Sequence, residues 1–437
     1  MRQMSAQPHD VLRRSARRLA TDADLDPLMQ RIGDARIVML GEASHGTSEY
    51  YTWRDRLSRR LIQEAGFSFI AVEGDWPDCY RVNRFVRGMD DSGASPYDVL
   101  HAFERWPTWM WANREVETLI EWLHGWNLRQ PPDRRAGFYG LDVYSLWDSM
   151  HAVLDYLDRV DPDAAQRARR AYGCFDPYEQ DVQEYALATK VVPTSCEDEA
   201  VRTLQELRRN APQYREDGRE GFFNAEQNAL IARNAELYYR TMVRGGSTSW
   251  NVRDTHMLET LERLLAHHGP TARAIVWEHN THIGDARATD MARAGMVNIG
   301  QLAREKWGAR DVVLVGFAGY EGSVIAANAW EAPMERMRVP PARTGSWERL
   351  LHDTVGDDAL LLTHELHDVA GAGEPRGHRA IGVVYHPERE RFGNYVPTIM
   401  PARYDALLYL ERTSALRPLH LRERIDAELP ETWPTGM

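Results

Sequence analysis

The chain has no apolar run long enough to span a bilayer, so a membrane-spanning protein is excluded as a reading. Lysine is nearly absent: Lys190 and Lys306 are the only lysines, and arginine supplies almost all of the 53 basic residues. The formal net charge is −12, which argues against a nucleic-acid partner, because phosphate backbones are bound by clustered cations. One such cluster, Arg13, Arg14, Arg17 and Arg18, is read as the solvated face of an N-terminal helix. The cysteines, Cys79, Cys174 and Cys196, form no Cys-x-x-Cys pair, and no disulfide is expected. Thr21-Asp22-Ala23-Asp24 follows the early arginines where a signal peptide would be apolar, so a cytoplasmic location is expected. A Gly-x-Ser-x-Gly nucleophile elbow and a Gly-rich phosphate loop are both missing. His-Glu-x-x-His is missing too: His364-Glu365-Leu366-His367 is one residue short and reads as a loop and helix cap.

What is present is a soluble-type composition, 43% hydrophobic and 27% charged over 437 residues, enough for one elaborated domain or two. Five short apolar runs read as strands: Ile37 to Leu40, Phe67 to Val72, Phe138 to Leu141, Ala274 to Trp277, and Val312 to Phe317. Helical spacing fills the gaps between them, as in Tyr50 to Glu64 and Glu115 to Trp126. Strand alternating with helix predicts an α/β fold: a mixed, largely parallel central sheet flanked by helices. The polar, helix-like stretch 145–268 is read as a helical subdomain inserted between the third and fourth strands. Residues 1–144 and 269–437 then form the two parts of the α/β core. Further strands are expected at Val324 to Ala327, Ala359 to Thr363, Ala380 to Tyr385 and Leu407 to Leu410.

Ligands of such sheets bind beyond the carboxyl ends of the strands. The first run ends in Gly41-Glu42-Ala43-Ser44-His45-Gly46, the second in Glu73-Gly74-Asp75-Trp76, the third in Asp142 and Tyr144, and the fourth in Glu278-His279-Asn280-Thr281-His282. The fifth offers only Gly319, Tyr320 and Glu321. One carboxylate past a strand is ordinarily a helix cap, and one histidine an ordinary surface or core residue. Several acids and imidazoles gathered on one edge would cost stability through repulsion and desolvation unless they served a reaction.

A histidine beside a carboxylate is a general base, since the carboxylate fixes the tautomer and stabilises the imidazolium. Water deprotonated by His45 would attack an acyl carbon, with a second imidazole and Arg54 supporting the developing charge. Ser44 is a poor nucleophile for His45, because neighbours in a turn rarely face each other. Trp76 and Tyr144 are candidates to line a substrate pocket. The same Glu/His cluster could instead hold zinc or manganese, or bind a small ligand without turnover. The favoured reading needs no cofactor and takes a small-molecule ester or lactone as its partner.

These motifs resemble the erythromycin esterase family, through Gly41 to Gly46, Val72-Glu73-Gly74-Asp75, Tyr139-Gly140-Leu141-Asp142 and Trp277 to His282. Asn224-Ala225-Glu226-Gln227-Asn228 and Arg253-Asp254 add to the ordered set. The resemblance implies an α/β core with the inserted helical subdomain over the active-site cleft, and hydrolysis of a macrolide lactone by activated water, an antibiotic-resistance activity. It implies Glu42, His45 and Glu73 as the catalytic group, with His279, His282 and Arg54 in support. Asp75 and Asp142 fall in the same motifs and are expected at the substrate. Glu278 departs from the family, which usually has a small residue there.

Overall fold

Aliphatic and β-branched runs make the central strands. A computed structural model of the protein describes residues 8–89, 94–178, 182–191, 195–216, 218–243, 245–366 and 371–420. In chain order the strands are β1 (Arg17–Arg18), β2 (Ile37–Leu40), β3 (Phe69–Val72), β4 (Gly137–Gly140), β5 (Ala274–Trp277), β6 (Val312–Ala326), β7 (Glu335–Val339), β8 (Ala359–Leu362), β9 (Arg376–Arg379), β10 (Tyr395–Thr398) and β11 (Ala406–Thr413). Val72–Asn83 and Phe138–Pro270 form one compact unit, and the remaining described residues form another.

In the larger unit the strand order is β1-β8-β11-β6-β2-β5-β3. The centre is parallel: β2 runs with β5 and β6, and β6 runs with β11. Residues of β2 and β5 are buried on both faces, which is why they read as continuous apolar runs rather than as alternations. β8 lies antiparallel to β11, β1 to β8, and β7 to β6. β9 and β10 pair antiparallel in a separate two-stranded sheet. The helix Ser48–Ala65 follows β2 and ends at Gly66, whose φ of 67° is the left-handed stop that glycine adopts freely.

Three expectations about strands and helices change. β6 does not end at Phe317 but continues for 15 residues, so Gly319, Tyr320 and Glu321 lie inside a strand. Its glycines permit this: a Cβ at Gly316 would strike the Tyr404 ring, and one at Gly322 (φ 152°) the backbone oxygen of Thr413 on β11. Residues 380–385 form no strand. Their backbone is claimed singly by loops, with Ile381 N–H on Ala43 O and Tyr385 N–H on Ala327 O. Arg17 and Arg18 are β1 rather than helix; the helix stops at Ser15, and Arg17 reaches Glu365 at 2.8 Å. Thr363–Leu366 is a 3₁₀ turn, and His367 lies outside the described residues.

The smaller unit is built mainly from helices, including Leu146–Val160, Glu197–Arg209, Arg219–Met242 and Thr248–His268. Their apolar faces bury Val153, Tyr156, Leu204, Ala229, Tyr238 and their neighbours in one core. β4 opens in the larger unit, Gly137 N–H bonding Ser68 O, and continues here, where Leu141 N–H bonds Val72 O. Cys174 and Cys196, expected to stay reduced, are joined in a disulfide with their Cα atoms 5.9 Å apart. The fold brings the end of the helix Pro162–Tyr172 and the start of Glu197–Arg209 together, which residue spacing alone did not reveal. Among the described residues no helix is long and apolar enough to cross a membrane.

A buried histidine ties two of these helices. His256 Nδ1 accepts from Asn234 Nδ2 at 2.7 Å, and Arg233 occupies the oxygen of that carboxamide, which fixes its orientation. Burial pushes the His256 pKa from 6.5 down to about 4. The unfolded chain therefore takes up a proton near pH 6.5 that the folded chain refuses until about pH 4. This contribution to stability is present above pH 6.5 and is lost as pH falls to about 4, with a ceiling of about 3 kcal/mol. Thermal melts of wild type should show this loss, and His256→Asn, which keeps an acceptor near the Nδ1 position, should flatten the slope over that window. Identical slopes would refute it.

Candidate functional site

β2 and β5 are neighbours in register, with Leu40 opposite Trp277, so the residues after them leave the same sheet edge. Past Leu40 the chain threads a space that admits no side chain at two points. A Cβ at Gly41 would lie 2.1 Å from Asn280 Oδ1, and one at Gly46 would lie 1.9 Å from the backbone oxygen of Ile325. These approaches account for both glycines of the motif. Gly46 O accepts the N–H groups of Ile325 and Leu416, and Glu42 O accepts that of Asn280 at 2.8 Å.

The turn aims two titratable groups at each other. Glu42 Oε1 bonds His45 Nδ1 at 2.8 Å, and Glu42 Oε2 takes Arg54 Nη2 at 2.8 Å. Arg54 comes from the helix that follows β2, two turns in, and is fully buried. The faces of Tyr51 and Trp277 sit 4.2 and 4.6 Å from its guanidinium carbon. Because the carboxylate accepts from Nδ1, His45 carries its proton there and keeps Nε2 basic. The His45 ring lies 4.9 Å, centroid to centroid, from that of His279.

His279 caps the short helix Asn280–Ile283, its Nδ1 accepting the Thr281 N–H at 3.3 Å. The Thr281 hydroxyl, 2.8 Å from the same nitrogen, can rotate to donate to it, whereas the backbone N–H can only donate, so the ring proton is placed on Nε2, the opposite assignment from His45. His282 follows in the same helical turn, buried, with its N–H on His279 O. Glu278 is buried beside them. Ser44 Oγ pairs with Thr47 Oγ1 instead of the imidazole next to it in sequence. Among the described residues no group of three or more His, Cys, Asp or Glu side chains is placed to hold a metal ion.

The smaller unit holds a second charged group. Arg253, from the helix Thr248–His268, grips Asp142 through two nitrogens at 2.9 and 2.6 Å and reaches Glu73 Oε1 at 2.7 Å. Burial pulls the Arg253 pKa down, but Asp142, Tyr144 and Glu73 more than offset it, so the guanidinium stays firmly charged. Its guanidinium stands 4.8 Å over the Tyr144 ring, which is half-buried. Trp76 is fully buried, stacked on Tyr80 and Tyr139, with its indole N–H on Asn224 Oδ1 at 2.8 Å. Asp75 is half-buried two residues past Glu73.

Arg253 had no assigned role in the sequence, although it stands in one of the matched motifs. Charged residues at helical spacing read as a solvated face. The usable signal was the need of two strand-end acids, Glu73 and Asp142, for a buried cation.

Residues 62–413 match a family model described as erythromycin esterase. The chain belongs to the erythromycin esterase family. It is 22% identical to YbfO of Bacillus subtilis (strain 168), provisionally named a hydrolase, over 90% of this chain and 87% of that one. To erythromycin esterase type II of Escherichia coli it is 28% identical, over 32% of each chain. Among solved structures it shares its fold with a succinoglycan biosynthesis protein (TM-score 0.77, 21% identity, 95% and 99% of the two chains). A mutant of the erythromycin esterase EreC, in its open conformation, has a TM-score of 0.65 at 16% identity, over 90% and 95% of the two chains. Membership of the erythromycin esterase family implies a hydrolase.

Gly46→Ala should be costly, because backbone rather than a flexible side chain blocks the added carbon. A loss at the upper end of about 1–3 kcal/mol is expected in chemical denaturation. A wild-type midpoint would contradict the packing described.

Proposed function

We propose that the protein hydrolyses an ester or lactone in a small molecule by attack of water on the acyl carbon, with His45 as general base. The observation that carries this is the Glu42–His45 hydrogen bond, with the other Glu42 oxygen on buried Arg54. It leaves His45 Nε2 as the proton acceptor and gives the imidazolium a carboxylate partner as water is deprotonated. Arg54 is assigned to holding and neutralising Glu42 rather than to the substrate. His279, carrying its proton on Nε2, is assigned to donating toward the developing oxyanion.

Glu73 and Asp142 are proposed to act in turnover, supported by their positions in the family motifs and by the charge held on Arg253. The substrate is proposed more broadly than a macrolide: the match to the E. coli erythromycin esterase covers about a third of the chain, whereas that to YbfO covers most of it.

The test is a panel of small-molecule esters and lactones that includes a macrolide. Wild type should cleave at least one. On that substrate His45→Ala should lower kcat by roughly 10²–10⁴-fold with the fold intact, and Glu42→Gln and Glu73→Gln should each impair it. Intact-mass spectrometry of quenched enzyme should find no acyl adduct. Wild-type rates in His45→Ala, or an acyl group on Ser44, would overturn the mechanism.

A further inference from the structure

A second histidine–carboxylate pair lies in the same unit and has no part in the chemistry above. His378, on β9, and Glu348, in the helix Trp347–Thr354, are both fully buried, and His378 Nδ1 stands 2.7 Å from Glu348 Oε1. The same Glu348 oxygen accepts the Arg379 N–H at 2.8 Å. On its other side His378 Nε2 meets Asn280 Nδ2 at 3.3 Å. Asn280 stands between His279 and the rest of the turn that carries His282.

We infer that Glu348 and His378 are positioning residues for the His279–His282 turn, acting through the carboxamide of Asn280. Proton placement follows from geometry alone. Asn280 clasps Phe317 of β6 at both backbone atoms: Oδ1 accepts the Phe317 N–H at 3.2 Å, and Nδ2 donates to Phe317 O at 2.7 Å. Turning the amide over would set donor against donor and acceptor against acceptor, so its orientation is fixed. The remaining Nδ2 hydrogen faces His378 Nε2, which must then hold a lone pair. The His378 proton is on Nδ1, where Glu348 receives it.

An imidazolium at this position would direct an N–H at the Asn280 amide NH2, donor against donor. Burial, which lowers the His378 pKa, points the same way. The backbone of Asn280 is held as well, its N–H by Glu42 O at 2.8 Å and its oxygen by Arg403 at 2.9 Å. The carboxamide is thus the link through which one fixed tautomer sets the turn beside His45.

The test has two arms, and only the second rests on the proposed hydrolysis. In the first, ¹⁵N-histidine spectra of wild type, with His378 assigned by its loss in His378→Gln, should show a neutral ring protonated on Nδ1. His378→Phe should shift the ring signals of His279 and His282. His378→Gln, whose Oε1 stands near the former Nε2, should restore them. In the second, His378→Phe should lower kcat at least tenfold at unchanged KM on a substrate found in the ester panel, with most of the loss recovered in His378→Gln. A His378 ring protonated on Nε2 overturns the inference, as do wild-type His279 and His282 signals in His378→Phe. Should His378→Phe fail to fold, the wild-type tautomer and His378→Gln decide. An inactive wild type would count against the hydrolysis while leaving the spectral arm to decide this proposal.

Discussion

The carboxylate of Glu42 sits where water does not reach, and most of the surrounding architecture answers that fact. A buried carboxylate left alone would take up a proton or destabilise the fold by several kcal/mol. Arg54 supplies the countercharge, but only because the helix Ser48–Ala65 begins immediately after the strand-end turn and returns over it. The guanidinium is itself out of water, and Tyr51 and Trp277 cover it with aromatic faces. Trp277 is the last residue of β5, so the strand that delivers His279 also shields the cation that holds Glu42. Sheet, helix and site are therefore one electrostatic arrangement, and a change in any of the three exposes the other two.

Much of this was legible in the chain. β2 and β5 were readable to the residue because strands buried on both faces are unbroken apolar runs, a pattern that β3 and β8 share. The helices Ser48–Ala65 and Arg114–Asn127 were readable from Trp53, Leu57 and Leu61, and from Leu119 and Leu123, which repeat with the helical period. The strand-end rule then pointed to Glu42, His45 and His279, which the fold brings next to one another. β7 and β9 escaped because Glu335–Val339 and Arg376–Arg379 are rich in charge, and β10 because Tyr395–Thr398 is short and interrupted by Pro397. Their stability comes from partners elsewhere in the chain rather than from local pattern. The length of β6 was hidden in the same way: glycines that look like a strand's end serve here to admit Tyr404 and Thr413.

Arg253 and His378 show the sharper limit. Each is a polar residue whose meaning comes from long-range partners: Glu73 lies 180 residues from Arg253, and Asn280 lies 98 residues from His378. Periodicity reports which side of an element faces the core. It does not report which buried polar groups satisfy one another.

A histidine on a carboxylate is also not a signature in itself. Besides Glu42–His45 and Glu348–His378, the described residues include His352–Glu411 at 2.6 Å and His267–Glu220 at 3.0 Å. His352 is half-buried and stacks on Tyr320, and His267 stacks on Phe223, so each has an ordinary packing role. His378 has its second nitrogen occupied by Asn280 and cannot meet a substrate from full burial. His45 differs in three respects at once. It lies past a parallel strand, its carboxylate is braced by a buried cation, and its neighbour is an imidazole with the opposite tautomer. A ring that accepts a proton next to one that donates is an arrangement that packing alone does not call for. That polarity, more than the count of acids and histidines at the sheet edge, is what makes hydrolysis the reading to test.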